Sequence, residues 1–206
     1  MVNVTQIQSE IFTSHVYLLC KQANYSVFLI DCGGFQSVNQ YLKLNQRVSG
    51  ILLTHYHYDH IYFLNEWTKA FPDLIVYGSQ ATIDGLSDDR INLSFYHEQP
   101  VKFVPRKFQI VQDGEVINLS GEIEITAQIT EGHCEGCVTY ITDNYFFTGD
   151  ALIPNIPTVT KLKTGSKLLA KASVNKIKNL TSKSSIICPG HLDVTAAQDV
   201  EWCNYI

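Results

Sequence analysis

The sequence predicts a mixed α/β protein built on two β-sheets flanked by helices, and three observations carry that prediction. Strand-like segments fall into two groups, one before residue 80 and one after residue 107. Helix-spaced segments lie between and after them, the pattern of sheets covered by helices. The 206 residues are 45 % hydrophobic and 11 % aromatic, and a chain of this size buries roughly 70 % of its unfolded surface, enough for a core without disulfides. That length fits one domain over residues 1–206.

In the first group, Val16–Cys20 and Val27–Ile30 read as strands joined by the polar turn Lys21–Asn24. Asp31-Cys32-Gly33-Gly34 ends the second strand, because two glycines permit angles that a strand cannot continue. Residues 35–45 carry Phe35, Val38 and Leu42 at helical spacing, and Gly50–Leu53 is another buried strand. A helix over Ile61–Ala70, a strand at Ile75–Tyr77 and a helix over Ser79–Leu86 follow. Residues 87–107, with Pro100, Pro105 and Phe95-Tyr96, form a long irregular loop expected to wall the active site.

The second group holds strands at Phe108–Val111, Glu115–Leu119, Glu122–Ile129, Val138–Thr142 and Tyr145–Thr148. Asp113-Gly114 and Asp143-Asn144 are turn dipeptides of the hairpin kind. Residues 166–180 suit one helix, Ser185–Cys188 a last strand ended by Pro189-Gly190, and 195–204 a closing helix.

Composition narrows the function classes. Lys and Arg number 15 against 20 Asp and Glu, a net charge of −5. Nucleic-acid affinity depends on clustered cations, so no nucleic-acid partner is expected. The longest apolar runs, such as Val16–Cys20, are far short of the ~20 residues that span a bilayer. With no signal-like N-terminus, the expectation is a cytoplasmic protein, no membrane partner and six reduced cysteines. Cys134 and Cys137 form a lone Cys-x-x-Cys, read as a turn rather than a zinc or redox site. Oligomeric state is not legible.

The chemistry gathers in His55-x-His57-x-Asp59-His60. In an extended segment residues i and i+2 share a side, so His55 and His57 can grip one ion. A turn at Tyr58 then sends Asp59 and His60 toward a neighbouring position. Imidazole nitrogens with a carboxylate suit Zn²⁺, with Fe or Mn as alternatives. His133 follows Gly132, His191 follows Pro189-Gly190, and Asp150 follows Gly149 at a strand end. His15 and His97 have no partner at ligand spacing and are set aside.

This set, in this order, resembles the metallo-β-lactamase superfamily across essentially the whole chain. Phe28-Leu29-Ile30-Asp31-Cys32-Gly33 is similar to the strand and glycine turn that precede the family's metal block. The resemblance implies a four-layer αββα sandwich. It implies one metal on His55, His57 and His133, and a second on Asp59, His60 and His191. Asp150 would bridge the two ions, zinc first among the candidates. The implied activity is a metal-dependent hydrolase, a metal-bound hydroxide attacking an ester, thioester or lactone of a small molecule. Asp59 is the implied catalytic residue, orienting the nucleophile or shuttling a proton.

Gly149-Asp150 is similar to the glyoxalase II and lactonase branches rather than to true β-lactamases. Ile61-Tyr62-Phe63-Leu64 departs from the glycines that often follow the family's metal block. With 15 residues after His191, the expectation is a chain without the C-terminal region that serves glutathione binding in glyoxalase II. The rivals are a mononuclear iron persulfide dioxygenase-like enzyme, a non-catalytic metal-binding protein and, behind both, an RNase Z-type nuclease.

Overall fold

The computed structural model describes residues 1–206 apart from 22–24, 98–99, 101, 104–106 and 206. The expected Lys21–Asn24 turn therefore lies mostly outside the described residues, as does Pro105.

The first sheet takes its six strands in sequence order. β1 (Asn3–Gln8) pairs antiparallel with β2 (His15–Cys20), and β2 with β3 (Ser26–Ile30). β4 (Arg47–Leu52), β5 (Ile75–Gly78) and β6 (Phe108–Ile110) then add in parallel. Each parallel step needs a crossover. Helix α1 (Gln36–Asn39) makes the first, α2 (Tyr58–Ile61) with α3 (Leu64–Ala70) the second, and α4 (Gln80–Leu86) the third.

The second sheet runs β7 (Val116–Leu119), β8 (Ile123–Ile129), β9 (Val138–Thr142) and β10 (Tyr145–Gly149) as antiparallel neighbours. α5 (Lys167–Leu180) then crosses to β11 (Ile186–Pro189), parallel to β10, and β12 (Thr195–Ala196) closes the edge. Ser166 caps α5 by accepting from Leu169 N, and Ser79 caps α4 by accepting from Thr82 N.

Three apolar clusters define the layers. Tyr17, Leu19, Phe28 and Ile30 of the first sheet meet Ile125, Val138, Tyr140 and Phe147 of the second. The opposite face of the first sheet (Val16, Leu29, Ile51) packs on Val38, Leu64, Trp67 and Leu86 of α1, α3 and α4. On the outer face of the second sheet, Phe146 and Ile187 pack on Val174 and Ile177 of α5. The expected two sheets flanked by helices are present. Among the described residues no helix is long and apolar enough to cross a membrane.

Several elements depart from expectation. The helix expected over 35–45 is confined to Gln36–Asn39, since Val38 is its one buried side chain and Leu44 is exposed. The helix expected over Ile61–Ala70 is broken before Leu64, where Phe63 N donates to Cys32 O across the glycine turn. Residues 195–204 form no continuous helix. They supply edge strand β12 and two 3₁₀ turns, Ala197–Asp199 and Trp202–Asn204. Asp113-Gly114 joins β6 to β7 across the sandwich and closes no hairpin, whereas Asp143-Asn144 joins the antiparallel pair β9–β10. β1 was not expected at all.

Candidate metal centre

Strand ends bring the chemistry to one rim. β3 runs into Asp31, β4 into Thr54-His55, β10 into Asp150 and β11 into His191, while the turn after β8 carries His133. Sites outside the carboxyl ends of parallel strands are the rule for such sheets. Hydrogen bonds tie the two sheets together here: Val138 N donates to Thr54 O at 2.7 Å, Tyr140 OH to Leu53 O at 3.1 Å, Tyr17 OH to Pro189 O at 2.7 Å and His15 N to Gly190 O at 2.8 Å.

Two glycines let the backbone come this close. Gly132 has φ +137°, and a Cβ there would stand 2.2 Å from Ala170 N in the first turns of α5. At Gly190 a Cβ would lie 2.3 Å from Asp150 Oδ1 and 2.7 Å from His60 Cε1. Each sits immediately before a histidine of the cluster, which is the physical content of the two Gly-His pairs.

The structure brings all seven expected residues together. Three sets hold ligand atoms within 4.8 Å of one another: His55, His57 and His133; His55, His60 and Asp150; Asp59, His60 and His191. Asp150 lies between the outer two, its Oδ2 at 3.6 Å from His133 Nε2 and 3.8 Å from His191 Nε2. Asp59 Oδ2 is 3.1 Å from His191 Nε2 and 3.6 Å from His60 Nε2.

The fit of this set to metal ions is legible in its unpaired atoms. His55 Nε2, His57 Nε2, His60 Nε2 and Asp150 Oδ1 are buried without a hydrogen-bond partner. Buried polar atoms are almost always paired, so several at one point call for an occupant that accepts lone pairs. Residues outside the set orient the rings. Asp31 Oδ2 lies 2.8 Å from His60 Nδ1 and takes a 2.7 Å hydrogen bond from Thr54 Oγ1. With that proton committed to Asp31, Thr54 Oγ1 accepts from His55 Nδ1 at 3.0 Å. Val159 O accepts from His133 Nδ1 at 2.9 Å. In all three rings this leaves Nε2 facing the cluster.

Electrostatics splits the cluster in two. Burial, then the neighbouring imidazoles, lowers His55 far below its ordinary value and His57 to about 3. Burial also lowers His133, against the pull of Asp150. These three rings are neutral, lone-pair donors at neutral pH. His60 differs: burial pushes it down, but Asp59, Asp150 and Asp31 together raise it to about 10. Burial raises Asp59, yet His60 and His191 outweigh it and hold that carboxyl below its usual range.

The cluster opens into a cavity of about 320 Å³ lined by Phe12, His57, Tyr58, Asp59, Leu93, His97, His133, Asp150, Val159 and Leu162. The loop expected over 87–107 does wall it, but through Leu93 and His97. Phe95 and Tyr96 are exposed, with Arg90 over the Phe95 ring, and do not line the cavity. His97, set aside on spacing, stacks on Tyr58. His15 belongs to none of the ligand sets, but it lies beside them: its backbone N–H donates to Gly190 O at 2.8 Å and its ring is hydrogen-bonded to Gln6. Cys134 and Cys137 are free and buried, their sulfurs 3.4 Å apart.

Sequence spacing missed Asp31 and Thr54 as orienting residues. The strand-end position of Asp31 was the available signal.

Known structures share this fold. The BLEG-1 B3 metallo-β-lactamase is 25 % identical, with a TM-score of 0.84 and 95 % of each chain covered. TTHA1623 in a di-iron-bound form is 20 % identical, with a TM-score of 0.79 over 95 % of this chain and 96 % of that one. ETHE1 from Myxococcus xanthus is 21 % identical, with a TM-score of 0.72 over 96 % of this chain and 80 % of that one. The family model of the metallo-beta-lactamase superfamily matches residues 11–191. With that match over most of its length, the chain belongs to the metallo-β-lactamase superfamily.

Proposed function

We propose that the chain is a metal-dependent hydrolase with a dinuclear centre, acting on an ester, thioester or lactone. The observation that carries this reading is the convergence of unpartnered buried atoms from His55, His57, His60 and Asp150. His55, His57 and His133 would hold one ion, Asp59, His60 and His191 the other, with Asp150 shared between them. When bound, a dication supplies Lewis acidity, which lowers the pKa of water and polarises a carbonyl.

The remaining work belongs to side chains. Asp59 lines the cavity, and its low pKa keeps it an acceptor at neutral pH. It therefore suits orienting a nucleophilic water by accepting a hydrogen bond at a carboxylate oxygen, more than protonating a leaving group. Asp31, Thr54 and the Val159 carbonyl hold three imidazoles with Nε2 turned toward the cluster, so the donor atoms need no reorientation.

Zinc is the first candidate by donor type. Iron is the second, supported by a similar chain crystallised in a di-iron-bound form. A mononuclear site would use one of the three ligand sets, whereas the position of Asp150 within 4 Å of both His133 and His191 favours two ions. Gly149-Asp150 supports a glyoxalase II-like or lactonase-like branch; the B3 enzyme among similar structures makes a penicillin the necessary control. The test is turnover of an ester, a thioester, a lactone and a penicillin by protein loaded with zinc or with iron. Hydrolysis of one of the first three, abolished by chelation and restored by metal, is expected. Turnover of the penicillin alone, or of nothing, would overturn the reading.

A further inference from the structure

The cavity beside the cluster has a second wall made of residues that belong to none of the three ligand sets. His97 lies face to face with Tyr58, centroids 4.1 Å apart and planes 9° from parallel. Phe12 leans on both rings, at 5.0 Å from His97 and 6.1 Å from Tyr58. Tyr58 stands between His57 and Asp59 in the chain, and its N–H donates to Asn92 O at 2.8 Å, tying the 92–97 segment to the histidine block. Leu93, Val159 and Leu162 complete the wall.

Two features mark this wall as built for a ligand. Phe12 and Leu93 are large apolar residues held at φ 48° and 69°, left-handed backbone that a side chain with a Cβ normally avoids. Strain of that kind collects at ligand clamps. Phe12 is also 60 % exposed at the tip between β1 and β2, so much of its ring is left uncovered beside the cavity. That tip is fastened to the site, because Ser14 Oγ donates to Asp59 O at 2.7 Å. Val159 and Leu162 are likewise exposed.

Charge decides which ligand fits. Among the described residues lining the cavity there is no lysine or arginine. Away from the ions the cluster would hold, a substrate group bearing its own carboxylate would meet apolar and aromatic surface here, with no lysine or arginine to receive it. An uncharged group would cover exposed apolar surface at no such cost.

We propose that Phe12, Leu93, His97, Val159 and Leu162 form an apolar subsite selecting an uncharged aryl or alkyl acyl group beside the scissile bond. This rests on the hydrolase reading and names the substrate class of the same site. Phe12 and His97 are its specificity-determining residues.

The test separates the two claims by using thiols, which bind a metal without being hydrolysed. Zinc-loaded protein is titrated calorimetrically with benzyl mercaptan and with mercaptoacetate, and again as Phe12→Ala and His97→Ala, after zinc content and circular dichroism are checked. The wild-type protein should favour benzyl mercaptan by about tenfold or more, and the preference should fall toward one in both variants. The same order should appear in KM for S-benzoyl against S-succinyl thioesters of N-acetylcysteamine. Thiol preference as expected without thioester turnover would sink the hydrolase reading and leave the subsite standing. Equal or tighter binding of mercaptoacetate, or a preference unchanged in whichever variants fold, would overturn the subsite.

Discussion

Asp31 and His60 form a buried pair, with Oδ2 accepting from Nδ1–H at 2.8 Å. The same carboxylate accepts from Thr54 N at 2.7 Å and Thr54 Oγ1 at 2.7 Å. One side chain thus fixes a strand end and the tautomers of two imidazoles.

Replacing Asp31 with Asn keeps the shape and loses the charge. The fold should survive, while affinity for the more weakly held zinc falls about 10–100-fold, the usual penalty for losing an orienting partner. Asp31→Ala also strands Thr54 N and His60 Nδ1, each worth about 1–3 kcal/mol when buried and unsatisfied. Urea unfolding and zinc titration measure the two effects. Wild-type affinity in both variants would remove Asp31 from the site.

Asp150 tests the shared position. Asp150→Ala and Asp150→Asn should both lose one ion more readily than the wild type. Activity should drop and the pH optimum move upward, since fewer dications acidify water less. Metals per chain and the pH–rate profile decide; an Asn variant resembling the wild type would show that shape, not charge, matters there.

Metal uptake should depend on pH unequally at the two positions. In the metal-free protein His60 is raised from 6.5 to about 10, so its proton persists at neutral pH and must be displaced. His55 and His57 are lowered and carry no proton to displace. The first ion should load at pH 6 with little pH dependence, and the second should bind more tightly as pH rises toward about 10. By the same linkage, His60 stabilises the metal-free fold fully below pH 6.5, and that contribution is lost as pH passes about 10. Two ions with the same pH slope would contradict this.

Gly132→Ala should misplace His133. A Cβ at φ +137° would overlap the Ala170 backbone at 2.2 Å, so either α5 or the histidine turn must shift. We expect a loss of about 1–3 kcal/mol of stability, with zinc affinity reduced further at the three-histidine position. Thermal unfolding and zinc titration at unchanged wild-type values would show that the turn has slack.

Much of this site was legible because short-range rules place it. The i, i+2 alternation of an extended segment puts His55 and His57 together, and Gly before His133 and His191 marks where backbone must come close. Asp31 was harder to read, since its contacts are to Thr54 and His60, partners joined only by sheet pairing. His97 was set aside for the same reason: its stack on Tyr58 depends on a loop whose course no periodicity reveals. β1 went unread because it is an edge strand with one buried side chain, Ile7. Conversely, helical spacing over 35–45 overreached: Val38 is fully buried and Phe35 and Leu42 pack partly buried against the core, yet the helix stops at Asn39 and Leu44 is exposed.

The most direct test of the central claim is metals per chain after dialysis of metal-free protein against zinc. It compares the wild type with His133→Ala and His191→Ala. The account predicts two ions in the wild type and one in each variant, retained by the opposite ligand set. No bound zinc in the wild type, or a single ion untouched by both substitutions, would contradict it.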